Sequence, residues 1–202
     1  MRFLQNSLRQ ETAGRRVTAV FAVIAIAYPF VVYALHERVP FIVLALGASL
    51  LLLLRAGFAP SGLMATLRRP LIVVAAALAV LSFVDAPLAA KAYPPLVCLM
   101  IAALFANSLR RPPSLVERIA RLRHPDLSPA GQEYCRRVTW VWVAWLLFNA
   151  TVATILAASD NIALWALWTG LISHLCTGAL FLGEMLMRPW LQGAARHRNR
   201  DA

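Results

Sequence analysis

The sequence predicts an all-α, polytopic membrane protein, and three observations carry that prediction. The chain of 202 residues is 60% hydrophobic and only 14% charged, a composition of the integral-membrane class. Its apolar residues fall into six runs, four of them near the ~20 residues that a membrane-crossing helix needs. Its basic residues are sorted to one side of those runs, as membrane orientation requires.

The six runs are about 17–35, 39–55, 70–87, 92–109, 138–159 and 161–183, within a single integral membrane domain over 1–202. The first is expected to stay as a helix and not to be a cleaved signal. Sixteen polar or mixed residues precede it, and no clear small-residue cleavage site ends it. The second and third runs are short, and span by letting Arg55 and Arg69 snorkel to the surface. A re-entrant hairpin would instead bury Arg55, Arg68 and Arg69 in hydrocarbon, at about 2.5–3.5 kcal/mol each. Two true spans are preferred. Pro29, Gly47, Pro87, Pro94 and Pro95 are expected to break the helices of the first half.

With six spans, 18 of the 20 basic residues lie on the side of the N-terminus, leaving only Arg38 and Lys91 opposite. Both termini and the central loop are therefore expected in the cytoplasm, in a bacterial inner (plasma) membrane. The net charge of +11 is assigned to this orientation and to anionic lipid, not to nucleic acid. Six tryptophans are read as an interfacial belt.

The central loop, 110–137, is the one long polar segment, and it holds seven arginines. Pro112-Pro113 stops the preceding helix, and Ser114 with Glu117 has capping-box spacing. A short amphipathic helix over 115–123 follows, with Leu115, Ile119 and Leu122 as its apolar stripe, lying in the interface. Ser128-Pro129 opens the next helix, which runs on through Arg136-Arg137 into span five. Arg118, Arg121, Arg136 and Arg137 form the candidate site for an anion or lipid head group, since arginine forks hold phosphate in bidentate fashion.

A second candidate lies inside the membrane. Tyr28 and Asn149 are each twelve residues from a cytoplasmic arginine, about 18 Å deep at 1.5 Å per residue. His174 is ten residues from Glu184, about 15 Å deep, so these three side chains are assigned to one polar layer. Structural hydrogen bonding of His174 with Asn149 or a backbone carbonyl stands beside a proton-relay or substrate-contact role. Gly170, Ser173, His174, Thr177 and Gly178 are expected to share one close-packing face of span six.

No nucleophile elbow, zinc-protease helix, acidic pair or phosphate loop is present, so catalysis is not the favoured role. His124-Pro125-Asp126 is read as a turn. Cys98, Cys135 and Cys176 lack metal or disulfide spacing and are expected as free thiols, with no metal or other cofactor.

The pattern SLVERIARLRHPDLSPAGQEYCRRVTWVW, then NxxxA and WxLWTGLISHLxxGxLFLGExLxR, carries a resemblance. It is similar to a family of small, uncharacterised bacterial inner-membrane proteins encoded in aryl-polyene (xanthomonadin-like) biosynthesis clusters. The likeness covers about 112–188, with departures at Cys135, Trp140 and His174. It implies a setting of fatty-acid-like synthesis with acyl carrier proteins, acyltransferases and an exporter. The expected function is a non-catalytic scaffold or accessory protein in making or exporting an aryl-polyene-type lipid. Its expected partners are membrane lipids and an acyl carrier protein or other biosynthesis proteins, with no nucleic acid. A lipid transporter or flippase, and a membrane acyl- or glycosyl-transfer enzyme, are the alternatives.

Overall fold

In a computed structural model, the backbone is described for residues 2–58, 66–122 and 125–198, and side chains for 18–58, 66–122 and 125–186. Among the described residues every regular element is a helix: α1 (Arg2–Leu35), α2 (Phe41–Gly57), α3 (Arg68–Val84), α4 (Ala86–Arg110), α5 (Leu115–Arg121), α6 (Pro129–Ala158), α7 (Ile162–Leu167) and α8 (Ser173–Arg198). A π-helical turn, Trp168–Ile172, joins α7 to α8. Four stretches are long and apolar enough to cross a membrane: Thr18–Leu35, Ala86–Arg110, Pro129–Ala158 and Ile162–Leu186. Helices α2 and α3 have 17 residues each, about 25 Å, against a hydrocarbon core of about 30 Å. Large apolar side chains point outward along the helices, among them Val23, Val73, Val80, Phe83 and Ile155. Such a surface is a liability in water and the correct one against acyl chains.

The chain packs as two compact units. One comprises Met1–Val97 with Ala153–Gly170, the other Cys98–Val152 with Leu171–Ala202.

In the first unit, α2 and α3 form the closest pair. The face of α2 carrying Ala45, Ala48, Ser49 and Ala56 is buried, as are Ala75, Leu78 and Ser82 of α3. Small residues at helical spacing let two backbones approach where no hydrophobic drive exists between helices. Helix α1 packs on α7, and Gly170 permits it: a Cβ there would meet the Phe30 ring at 2.6 Å.

Four expectations for this unit are corrected. Pro29, Gly47, Pro94 and Pro95 lie inside continuous helices and break none of them. Proline 94 has no N–H for the Ala90 carbonyl, and the Tyr28 hydroxyl donates to that carbonyl instead, at 2.9 Å. Helix α4 starts at Ala86, not 92, because Asp85 caps it: its carboxylate accepts the Leu88 N–H at 2.9 Å. Lys91 is accordingly not in a loop but within α4, where its ammonium donates to the Ser159 carbonyl beyond the C-terminus of α6. Arg55 does not simply snorkel: its guanidinium lies over the Phe21 ring at 5.8 Å, with Nη1 buried and without a hydrogen bond.

In the second unit, the capping-box helix forms as expected, over Leu115–Arg121, and α6 runs unbroken from Pro129 past Arg137. Arg123 and His124 lie outside the described residues. Trp145 donates from Nε1 to Thr177 Oγ1 at 3.0 Å, tying α6 to α8. This half-buried tryptophan is an internal tie. Trp165 of the first unit is fully buried, so it does not present its ring to lipid as a belt residue would.

The Tyr28–Pro94 compensation is testable by a double-mutant cycle. Tyr28→Phe should destabilise the protein by about 0.6–1.7 kcal/mol, the range of polar contacts inside membranes. On a Pro94→Ala background the restored N–H at position 94 serves the Ala90 carbonyl, and the same change should cost measurably less. Thermal unfolding of the four proteins in one detergent checks this; equal costs on both backgrounds would refute the compensation.

Candidate functional site

The central loop folds into a cleft of about 240 Å³ within the second unit. Its wall comes from the last turn of α4 (Ser108, Leu109), the segment entering α5 (Pro112, Ser114, Glu117) and the first turns of α6 (Pro129, Gln132, Glu133, Arg136).

Local chemistry builds this wall. Ser114 Oγ accepts the Glu117 N–H, and Glu117 Oε2 accepts the Ser114 N–H, so both halves of the box are closed. Ser108 Oγ accepts the next free amide, that of Leu115, at 2.9 Å, fastening α5 to the end of α4. On the far side, Ser128 Oγ accepts the Gly131 N–H, and Gln132 Nε2 donates to the Leu127 carbonyl. Ser114 and Glu117 are buried, so the box is an interior joint and not a surface ornament. The face of α5 turned inward is that of Glu117 and Ala120. Ile119 and Leu122 of the expected apolar stripe are 50% and 79% exposed, facing away from the protein.

The four arginines of the expected anion site have separate roles. Arg118 donates from Nε to the Pro113 carbonyl and from Nη2 to that of Arg111, bracing the turn before α5. Arg121 grips Glu117 Oε1 with Nε and Nη2, at 3.0 and 2.7 Å. Arg137 reaches Glu133 Oε1 at 3.2 Å in an exposed i,i+4 pair of the kind that contributes little. Arg136 lines the cleft, exposed, and among the described residues makes no ion pair. The cleft thus brings together Arg136, Glu133, Gln132 and Glu117. Of these the sequence marks Arg136 as a site residue and Glu117 only as a cap, although Glu133 at i−3 on the same helix as Arg136 is the available signal for a second charge beside it.

The three intramembrane residues fall in different surroundings. Tyr28, in the first unit, is buried against Tyr93 with ring centroids 4.7 Å apart, its hydroxyl turned to the Ala90 and Leu44 carbonyls. Asn149, in the second unit, is buried and donates from Nδ2 to Cys98 Sγ at 3.3 Å. His174 is exposed, with Ser173 Oγ 3.5 Å from its Nδ1. A π turn precedes this helix, α8. Its i→i+5 pattern offsets Gly170 from the residues of α8, where Ser173 is buried while His174 and Gly178 are exposed. The small-residue face expected of span six does not stay on one side.

A second, shallow depression of about 570 Å³ lies between the end of α1 and the start of α7, lined by Tyr33, His36, Glu37, Asp160 and Asn161. Among the described residues no three His, Cys, Asp or Glu side chains gather to hold a metal ion. Cys98, Cys135 and Cys176 form no disulfide.

Fold and site together have the pattern of a helical integral membrane protein with a structured polar joint at the ends of its long apolar helices. Comparison with known proteins finds no matching family, no matching characterised protein and no matching solved structure.

The capping joint gives a local prediction. Ser114→Ala should cost about 0.5–2 kcal/mol at the α5 N-terminus. Hydrogen exchange should speed up across Leu115–Arg121 while the amides of α6 keep their protection; uniform change in both would mean that the box does not hold α5 specifically.

Proposed function

We propose that this chain is a non-catalytic inner-membrane scaffold or accessory protein whose folded loop receives lipid head groups or an acidic carrier-protein surface at the cytoplasmic face. The cleft beneath α5 is the observation that carries the reading, since it turns a charged loop into a shaped polar recess. Its setting at the ends of two membrane-length helices, α4 and α6, supports head-group depth. The partners of Tyr28 and Asn149 favour a structural role for those groups over a transport layer. The product context, synthesis or export of an aryl-polyene-type lipid, rests on the resemblance of residues 112–188 alone. In the accompanying topology α2 and α3 cross the bilayer as short spans, giving six crossings with both termini and the central loop in the cytoplasm.

Two measurements test this. A cysteine introduced at Ala130 should resist membrane-impermeant periplasmic reagents, whereas one at Asp160 should be labelled; labelling at position 130 would overturn the topology. Lysine in place of arginine should separate the four roles of the loop. Arg118→Lys and Arg121→Lys lose bidentate contacts and should lower folded yield, while Arg136→Lys should leave yield unchanged. Replacing Arg136 by glutamine should cut lipid or carrier binding by about tenfold, the worth of one charge-assisted hydrogen bond. Wild-type binding and wild-type product in the glutamine variant would remove the site.

A further inference from the structure

We infer that the cleft accepts a zwitterionic head group with a primary amine, of the phosphoethanolamine type, with phosphate at Arg136 and ammonium at Glu133 and Gln132. This rests on the reading of the cleft as a lipid head-group site, and it names which head group fits.

Size comes first. A cleft of about 240 Å³ is smaller than the ~300–1,000 Å³ of sites that enclose a drug-sized ligand, so an acyl or polyene chain stays outside. A head group of a few heavy atoms fits. The exposed Ile119 and Leu122 on α5 offer apolar surface for the chains that the cleft excludes.

Charge decides the rest. Counted residue by residue the loop is strongly basic, but the cleft is not. Glu117 is already matched, by both nitrogens of Arg121 and by the Ser114 N–H. Arg136 is the one cation lining the cleft, and it has no ion pair among the described residues. Glu133 shares one oxygen with Arg137 through an exposed pair, and no described hydrogen bond involves its other oxygen. What faces the cleft is therefore one positive and one negative group, three residues apart on α6 and so neighbours on one helix face, with Cβ atoms about 5–6 Å apart. A purely anionic head group would meet the Glu133 carboxylate as well as the arginine, and like-charge contact works against it. A zwitterion with two carbons between phosphate and nitrogen matches both charges.

The amine must also be a donor. Gln132 fixes its amide by giving Nε2 to the Leu127 carbonyl, which leaves Oε1 as an acceptor beside Glu133. A primary ammonium has three N–H groups for these oxygens, whereas a quaternary choline nitrogen has none. Depth agrees. Ser108 lies in the last turn of one membrane-length helix and Pro129 begins another, so the cleft opens at the depth of head groups.

The test is lipid competition on the full chain, delipidated in detergent and given equimolar phosphatidylethanolamine, phosphatidylcholine and phosphatidylglycerol, with native mass spectrometry as readout. Phosphatidylethanolamine should be retained about tenfold over each of the others, the worth of one charge-assisted hydrogen bond. Glu133→Gln, which removes only an exposed ion pair from the fold, should erase the preference for phosphatidylethanolamine over phosphatidylcholine. Arg136→Gln should lower retention of all three. Soluble O-phosphoethanolamine should compete with the lipid, and inorganic phosphate should not. If phosphatidylglycerol is retained as well as phosphatidylethanolamine, or if inorganic phosphate competes equally, the cleft is a plain anion anchor and this inference fails while the head-group reading survives. Retention of none of the three lipids would end both.

Discussion

A carbonyl that has lost its N–H partner is the constraint on which this fold turns. Hydrocarbon supplies no water to repair such a loss, so every freed backbone group must be satisfied from within the protein. Pro94 and Pro95 sit in the middle of α4, and the first of them leaves the Ala90 carbonyl without its usual donor. Tyr28 reaches from α1 to fill the gap, and its 3.3 Å approach to the Leu44 carbonyl brings α2 to the same point. One hydroxyl thereby fixes the register of three helices. This explains why a tyrosine, and not phenylalanine, lies buried against Tyr93.

The same constraint governs the smaller polar side chains. Ser49, Thr139, Thr151, Thr169 and Thr177 each return the hydroxyl proton to the carbonyl four residues back, and Ser82 and Ser108 to the one three back. Folding a hydroxyl onto its own helix satisfies it where lipid offers no partner. Thr177 does more, since its oxygen also accepts from Trp145 and so joins two helices with one atom. Lys91 follows the rule at the level of a charge. Its ammonium, the one lysine of the chain, ends on a carbonyl just past a helix C-terminus, where the dipole favours a cation.

What the residue pattern reveals and what it hides divide along sequence distance. The capping box at Ser114 and Glu117, the Ser128-Pro129 start and the apolar runs are local signals, and the corresponding elements form where those signals lie. Asp85 as a cap was local too, but it was masked by reading Pro87 as a break when that residue lies in the first turn of α4. The tolerance of Pro94 was invisible because its remedy comes from 62-residue separation, between Tyr28 and Ala90. The π turn at Trp168–Ile172 has no dependable sequence signature, and it offsets Gly170 from the α8 residues that simple helical counting places beside it. A count of residues per turn keeps azimuth only until the first irregular turn.

Charge counting fails in the central loop for a related reason. Seven arginines within 28 residues look like a basic patch, and on that basis the whole loop attracts anions. A guanidinium, however, has five donors, and the loop needs donors for its own turns. Arg118 is consumed by two backbone carbonyls and Arg121 by a buried carboxylate that the capping box itself requires. Those two charges hold the cleft open and contribute shape, not attraction. The local field inside is then set by the residues left over, Arg136 and Glu133, and it is dipolar where the surrounding loop is positive. In the proposed reading, net charge directs the loop to the membrane face, while the unspent donors and acceptors within it choose what binds there.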